Sequence, residues 1–202
     1  MIKICGLSTP AALDAALEAG ADMIGLVRFP RSPRHVDLTT GAALSTHAKG
    51  RALRALLLVD PTDAELDEAV AALDPDLVQL HGRETPERVA AIRGRTGRPV
   101  MKAVGIGGPD DLRALDAYTG AADRLLLDAK PPAGAALPGG NGVPFDWSLL
   151  AGLDRDRALM LSGGLGPGNV AEAIARTGLG AVDVSSGVEV RPGEKDPDRI
   201  AQ

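Results

Sequence analysis

At 202 residues the chain is long for a small module and short for two domains, so one domain spanning residues 1–202 with a sizeable core is expected. Apolar residues at 45% and charged residues at 24% exclude a disordered or fibrous chain. A net charge of −5 repels a phosphate backbone, and an aromatic content of 2% leaves few rings to stack bases, so nucleic acid is excluded as a partner.

The opening Met1-Ile2-Lys3-Ile4-Cys5-Gly6 has no long apolar leader, and no run approaches the ~18 apolar residues of a membrane span. A cytoplasmic protein with no membrane contact is expected. A single cysteine, Cys5, admits no intramolecular disulfide and no thiolate cluster for a metal. It is a free thiol that either packs or reacts.

Short apolar runs recur along the chain at Ile2 to Cys5, Met23 to Val27, Ala55 to Val59, Leu77 to Leu80, Val100 to Val104, Leu125 to Leu127, Leu159 to Leu161 and Ala181 to Val184. Each is brief and mostly branched, as a strand buried on both faces should be. Helical patterns lie between them. Thr9 is an N-cap with Pro10 at the first helical position, and Gly20 is the stop. Thr62 to Glu65 reads as a capping box before Leu66, Ala69, Val70 and Leu73. Thr85-Pro86 repeats the first pattern, and Asp110 to Leu115 and Pro167 to Thr177 are further helical stretches. The Gly/Pro stretch from Pro131 to Pro144 reads as an active-site loop.

Eight alternating units suit a closed (β/α)8 barrel or an open doubly wound sheet. Cys5-Gly6-Leu7-Ser8 is no glycine-rich nucleotide turn, which favours a compact α/β TIM barrel. Its core is expected to be built from Ala, Leu, Val and Ile, with branched aliphatics filling the barrel, and Phe29, Phe145 and Trp147 lie in or beside the loops at the active-site end.

Barrels place their chemistry at the carboxyl ends of the strands. Five ends carry polar residues: Cys5, Gln79 with His81, Asp128 with Lys130, Ser162-Gly163-Gly164, and Asp183 with Ser185-Ser186-Gly187. Lys3 and Cys5, two apart, share a strand face opposite Ile2 and Ile4. If the isoleucines face the helices, the lysine and thiol face the interior, where a cation can lower the thiol pKa toward that of a useful base. Asp128 ends an otherwise apolar strand, the partly desolvated setting of a working acid, or else pairs with Lys130 or Lys3. Asp183 follows the same logic. Lys102 is a structural lysine or the Schiff-base lysine of an aldolase. The glycine turns at Gly163, Gly164, Ser186 and Gly187 offer bare amides on adjacent strands, next to a helix starting near Pro167, where barrels hold phosphate.

These residues resemble phosphoribosylanthranilate isomerases, in the stretches Lys3-Ile4-Cys5-Gly6, Ser32-Pro33-Arg34, Val78-Gln79-Leu80-His81-Gly82, Leu126-Leu127-Asp128, Phe145-Asp146-Trp147, Leu161 to Leu165, Asp183 to Glu189 and Pro192-Gly193-Glu194-Lys195-Asp196. The resemblance implies a cofactor-free Amadori rearrangement in tryptophan biosynthesis, on a phosphorylated small-molecule substrate, by a monomer or homodimer with no metal. It implies Asp128 as general acid, Cys5 as general base, Arg34, Gln79 and Asp183 on the substrate, and Gly163, Gly164, Ser186 and Gly187 on its phosphate. Two positions depart from the pattern: Arg28 stands where an apolar residue is usual, and Asn141 where Ser or Thr is. Both bear on substrate affinity. The alternatives are another sugar-phosphate barrel enzyme working through Lys102 or Lys130, or a barrel that only binds a phosphorylated metabolite.

Overall fold

In the computed structural model, which describes residues 1–130, 139, 144–154 and 157–202, the eight apolar runs become eight parallel strands. They are β1 (Ile2–Cys5), β2 (Met23–Val27), β3 (Leu53–Leu58), β4 (Leu77–Leu80), β5 (Val100–Ile106), β6 (Arg124–Ala129), β7 (Leu159–Leu161) and β8 (Val182–Val184). They pair in chain order and close, β8 returning to β1 through Lys3 opposite Asp183. The closed barrel expected from the count of eight is therefore the fold.

The helices follow their caps. Helix α1 (Pro10–Glu18) starts where Thr9 accepts from the Ala12 amide at 3.2 Å. Helix α3 (Asp63–Leu73) carries the reciprocal Thr62–Glu65 capping box, worth about 1 kcal/mol. Helix α4 (Pro86–Thr96) repeats the Thr-Pro start. Between them α2 (Leu38–Ala48) has no wide apolar stripe and no counterpart among the helices expected from sequence. Its buried Gly41, Ser45 and Ala48 are small, and Gly41 lies against Leu73 of α3, so close approach replaces bulk. Its one local sign is Asp37, which caps Thr40 at 2.7 Å.

The stretch expected as one helix over 110–115 is a single turn, α5 (Pro109–Arg113), continued as 3₁₀ helix over Ala114–Tyr118. The helix expected from Pro167 begins only at Val170 (α6, Val170–Thr177), because Asn169 turns its side chain back to clasp the preceding loop. After β8 the chain forms a small hairpin, β9 (Glu189–Arg191) and β10 (Glu194–Lys195), then α7 (Pro197–Ala201).

The core divides into two. Branched residues such as Ile4, Ile24, Val78 and Ile92 pack between sheet and helices. The plug inside the barrel is Met23, Ala55, Leu77, Met101, Ala103, Leu126 and Met160, so branched Leu77 and Leu126 are there as expected but share the interior with three unbranched methionines. Unbranched methionine adapts to the irregular space between converging strands, where a stiff β-branched side chain fits less readily. Phe145 and Trp147 pack in the outer layer, the latter on a 3₁₀ turn over Trp147–Gly152.

Candidate active site

Strand alternation sends Lys3 and Cys5 inward from β1, while Ile4 packs toward the helices. Lys3 is 0% exposed and its Nζ donates to Asp183 Oδ1 at 2.8 Å. Removing either partner would strand a buried charge at a cost of about 3–5 kcal/mol. Burial by itself pulls the Lys3 ammonium down; the Asp183 carboxylate against it more than offsets that, so its pKa lies above the usual value.

Cys5 sits directly above on the same face. Burial pushes its thiol up, the Lys3 ammonium pulls against that and the Asp183 carboxylate pushes with it, and the net is a thiol above its ordinary range. Lys3 does pull the thiol down as expected, but burial outweighs it with the Asp183 carboxylate adding to the rise, so Cys5 rests protonated at neutral pH. Because Cys5 is the only cysteine, its alkylation by iodoacetamide reads this directly. The rate is expected to keep climbing above pH ~8.5 and the midpoint to fall in Asp183→Asn; a wild-type midpoint below pH 8 would contradict the arrangement.

Asp128 ends β6 on the same cleft. Its Oδ1 accepts from the Ala129 amide at 2.9 Å and its Oδ2 lies 3.0 Å from His81 Nε2. Neither lysine foreseen as its partner reaches it, since Lys130 pairs with Asp111 and Lys3 with Asp183. Behind His81, Gln79 Nε2 is 3.3 Å from Nδ1, while Gln79 Oε1 is buried with no hydrogen-bond partner. Gln79 is 0% exposed and lies outside the cleft lining. It backs His81, which corrects its expected place on the substrate. His81, named among the polar strand ends but assigned no role, is the side chain that touches the carboxylate.

A cleft opens over these groups. One wall is apolar: Val27, Phe29, Leu57 and Val59 beside Cys5. Arg28 is outside it, donating to Val36 O at 2.8 Å, so Phe29 supplies the aromatic surface and the Arg28 departure leaves the wall apolar. Arg34 stands at the edge, its stem over Gly6 and its fork bidentate on Glu189 at 2.7 and 2.9 Å.

The opposite wall is the turn Gly163-Gly164-Leu165 with Ser185 and Ser186. Gly163 has φ +87°, and a Cβ there would meet the Ala129 amide at 2.5 Å, so only glycine lets the turn pass this close to β6. Asn169 staples the turn, Oδ1 accepting from Gly166 N and Nδ2 donating to Gly164 O, each at 2.9 Å. Among the described residues the Gly164 and Leu165 amides donate to no protein acceptor, which leaves them for an anion. Gly187 is packed against Leu165 and Gly166 and is absent from the lining; it brings the two turns together. Gly139 of the long loop lies over His81 and Asp128. The departure at Asn141 falls outside the described residues.

Lys102 points away from this cleft. Its neighbours Met101 and Ala103 face the barrel interior, so alternation turns Lys102 outward, where Nζ meets Glu84 Oε2 and Gly82 O, each at 2.8 Å. A Schiff base through Lys102 is thereby excluded. Among the described residues no His/Cys/Asp/Glu group is placed to hold a metal ion, and no helix is long and apolar enough to cross a membrane.

The family model for N-(5'-phosphoribosyl)anthranilate isomerase matches residues 2–202. The chain belongs to this family. It is 62% identical over 199 residues to the N-(5'-phosphoribosyl)anthranilate isomerase of Azorhizobium caulinodans, covering 98% of this chain and 87% of the relative. With the Rhodopseudomonas palustris isomerase the identity is 57% over 200 residues, covering 99% and 92%. The crystal structure of the Thermotoga maritima phosphoribosyl anthranilate isomerase superposes with a TM-score of 0.88 at 36% identity, covering 99% of this chain and 94% of that one. A phosphoribosyl anthranilate isomerase in complex with reduced 1-(o-carboxyphenylamino)-1-deoxyribulose 5-phosphate has a TM-score of 0.85 at 34% identity, covering 99% and 94%. The isomerase family thus accounts for the barrel from end to end.

Proposed function

We propose that this chain converts N-(5-phosphoribosyl)anthranilate to 1-(2-carboxyphenylamino)-1-deoxyribulose 5-phosphate in the cytoplasm, without a cofactor. The observation that carries the reading is the meeting of Cys5 and Asp128 in one cleft, between an apolar wall edged by Arg34 and a glycine turn with open amides. Such a cleft matches the three parts of that substrate: an aromatic ring bearing a carboxylate, a sugar, and a phosphate.

Asp128, protonated, gives its proton to the ribose ring oxygen. The C1–O bond breaks and the anthranilate nitrogen lone pair forms the C1–N double bond of a Schiff base. Cys5, once its thiol proton has passed to solvent, removes the C2 proton as the thiolate, and the electron pair moves into an enolamine that tautomerises to the ketone. Lys3 stabilises the thiolate when it forms, and Asp183 holds Lys3 there while presenting a carboxylate to the cleft. His81 orients Asp128. The Gln79 amide can face His81 Nδ1 with either end, so it accommodates both neutral tautomers of the ring. With Gln79 Oε1 toward Nδ1–H, the His81 Nε2 lone pair faces Asp128 Oδ2 and can accept from a protonated Asp128.

Gly163, Gly164 and Ser186 bind the phosphate through the turn at the ends of β7 and β8, where barrels hold this group. Arg34 reads the ring carboxylate with the edge of its guanidinium that faces away from Glu189, the Nε–Nη2 edge being held by that residue. Arg34→Ala is expected to raise KM about tenfold or more with kcat changed little, because the carboxylate is bound equally in ground and transition states; an unchanged KM would remove Arg34 from that role. Every group invoked belongs to one chain, so a monomer or each half of a homodimer carries a whole site. The activity is tested by the loss of phosphoribosylanthranilate fluorescence with purified protein, and by growth of a tryptophan auxotroph lacking this isomerase. Binding without turnover would favour a phosphometabolite-binding barrel instead.

A further inference from the structure

The β9–β10 hairpin is outside the barrel, yet it delivers two buried ions to the edge of the cleft. Glu189 and Lys195 are 6% and 8% exposed, and Arg34 is 6% exposed. Glu189 Oε1 accepts from Arg34 Nε and from Lys195 Nζ, both at 2.7 Å. Its Oε2 accepts from Arg34 Nη2 at 2.9 Å and from the Gly193 amide at 3.2 Å. Lys195 Nζ also donates to Ser185 O at 2.9 Å and Oγ at 3.4 Å. Three acceptors match the three protons of an ammonium.

Charge arithmetic gives this cluster a purpose beyond packing. Arg34 and Glu189 alone form a closed, neutral fork, and a carboxylate ligand approaching it would meet the Glu189 charge at close range in a low-dielectric setting. One cation would suffice to pair Glu189, and burying a second is costly. The second makes the cluster net positive by one charge, at the edge of the cleft that Arg34 lines.

We propose that Lys195 is a specificity-determining positioning residue: by offsetting Glu189 it leaves the Arg34 charge available to the substrate carboxylate, while Glu189 fixes the direction of the guanidinium. This rests on the reading of Arg34 as the carboxylate's partner, and Lys195 acts through Arg34 without touching substrate.

The test compares two ligands by calorimetry: reduced 1-(o-carboxyphenylamino)-1-deoxyribulose 5-phosphate and the same molecule without its carboxylate. Lys195→Met is expected to weaken the carboxylated ligand by about tenfold and the other by less than about twofold. Adding Glu189→Gln to Lys195→Met restores a net charge of one and is expected to recover most of the loss. A merely structural lysine predicts equal losses for both ligands and a double variant no better than the single one; either result overturns the proposal. If Lys195→Met alone does not fold, the double variant, which leaves Arg34 as the one charge of the cluster with the introduced amide oxygen as its acceptor, is compared with Glu189→Gln. The latter, more positive by one, must then bind the carboxylated ligand the more tightly and the other ligand equally. Arg34→Met separates the premises: if it leaves discrimination between the ligands intact, the reading of Arg34 fails, whereas if it abolishes discrimination and Lys195→Met does not, only the role of Lys195 fails.

Discussion

Cys5→Ala is expected to lower kcat by at least the 10²–10⁴ typical of a lost general base, while the far-ultraviolet circular dichroism and the affinity for the reduced product analogue stay within about threefold of wild type. The separation of rate from binding follows from geometry. The thiol is one small group in an apolar wall that Val27, Phe29, Leu57 and Val59 otherwise complete, so its removal leaves the ring's surroundings intact. The Lys3–Asp183 pair below it stays bonded, so no buried charge is stranded. Exchange offers a second readout: the C2 proton of the substrate should cease to wash out into D2O, because no other base in the described cleft is assigned to it. Turnover near the wild-type rate would remove Cys5 from the chemistry and return it to a packing role.

Asp128→Asn is expected to lower kcat by a similar 10²–10⁴, since the amide offers no acidic proton to the ring oxygen. The change is nearly isosteric. The Asn oxygen can keep the bond from the Ala129 amide, and the ring of His81 can accept from the new NH2 if its proton moves to Nδ1. A half-turn of the Gln79 amide, which now faces Nδ1 with Nε2, lets its unpartnered Oε1 accept the hydrogen bond from that Nδ1–H, so the fold should tolerate the variant. The two variants differ in the step they block: with Asp128→Asn the ring does not open, so the C1 anomers of the substrate should stop interconverting on the enzyme, whereas in Cys5→Ala they should still interconvert. The opposite pattern would exchange the roles of acid and base.

Much of the architecture was legible locally because its causes are local. The Thr-Pro starts at Thr9 and Thr85 and the capping box at Thr62 are contacts within four residues, and a strand covered on both faces shows as an unbroken apolar run. Helix α2 escaped because close approach of Gly41 to Leu73 replaces the apolar stripe by which a helix is recognised. The short start of α6 escaped because Asn169 serves the phosphate turn instead of extending the helix.

The site divides along the same line. Strand alternation, a property of neighbouring residues, suffices to put Cys5 with Lys3 on one face and to place Asp128 and Asp183 at carboxyl ends, and the motifs carried the family resemblance. What the thiol's surroundings do to its proton was decided by burial in the closed barrel, with the Asp183 carboxylate, 180 residues from Lys3, working against the cation that local reading gave to Cys5. The partner of Asp128 lies 47 residues away in His81, and the carboxylate that holds Arg34 lies 155 residues away in Glu189. Barrel closure brings these pairs together. Spacing along a chain determines which face a side chain takes; only the register in which strands close determines which charges meet and how deeply they are buried, the two quantities on which their interaction depends.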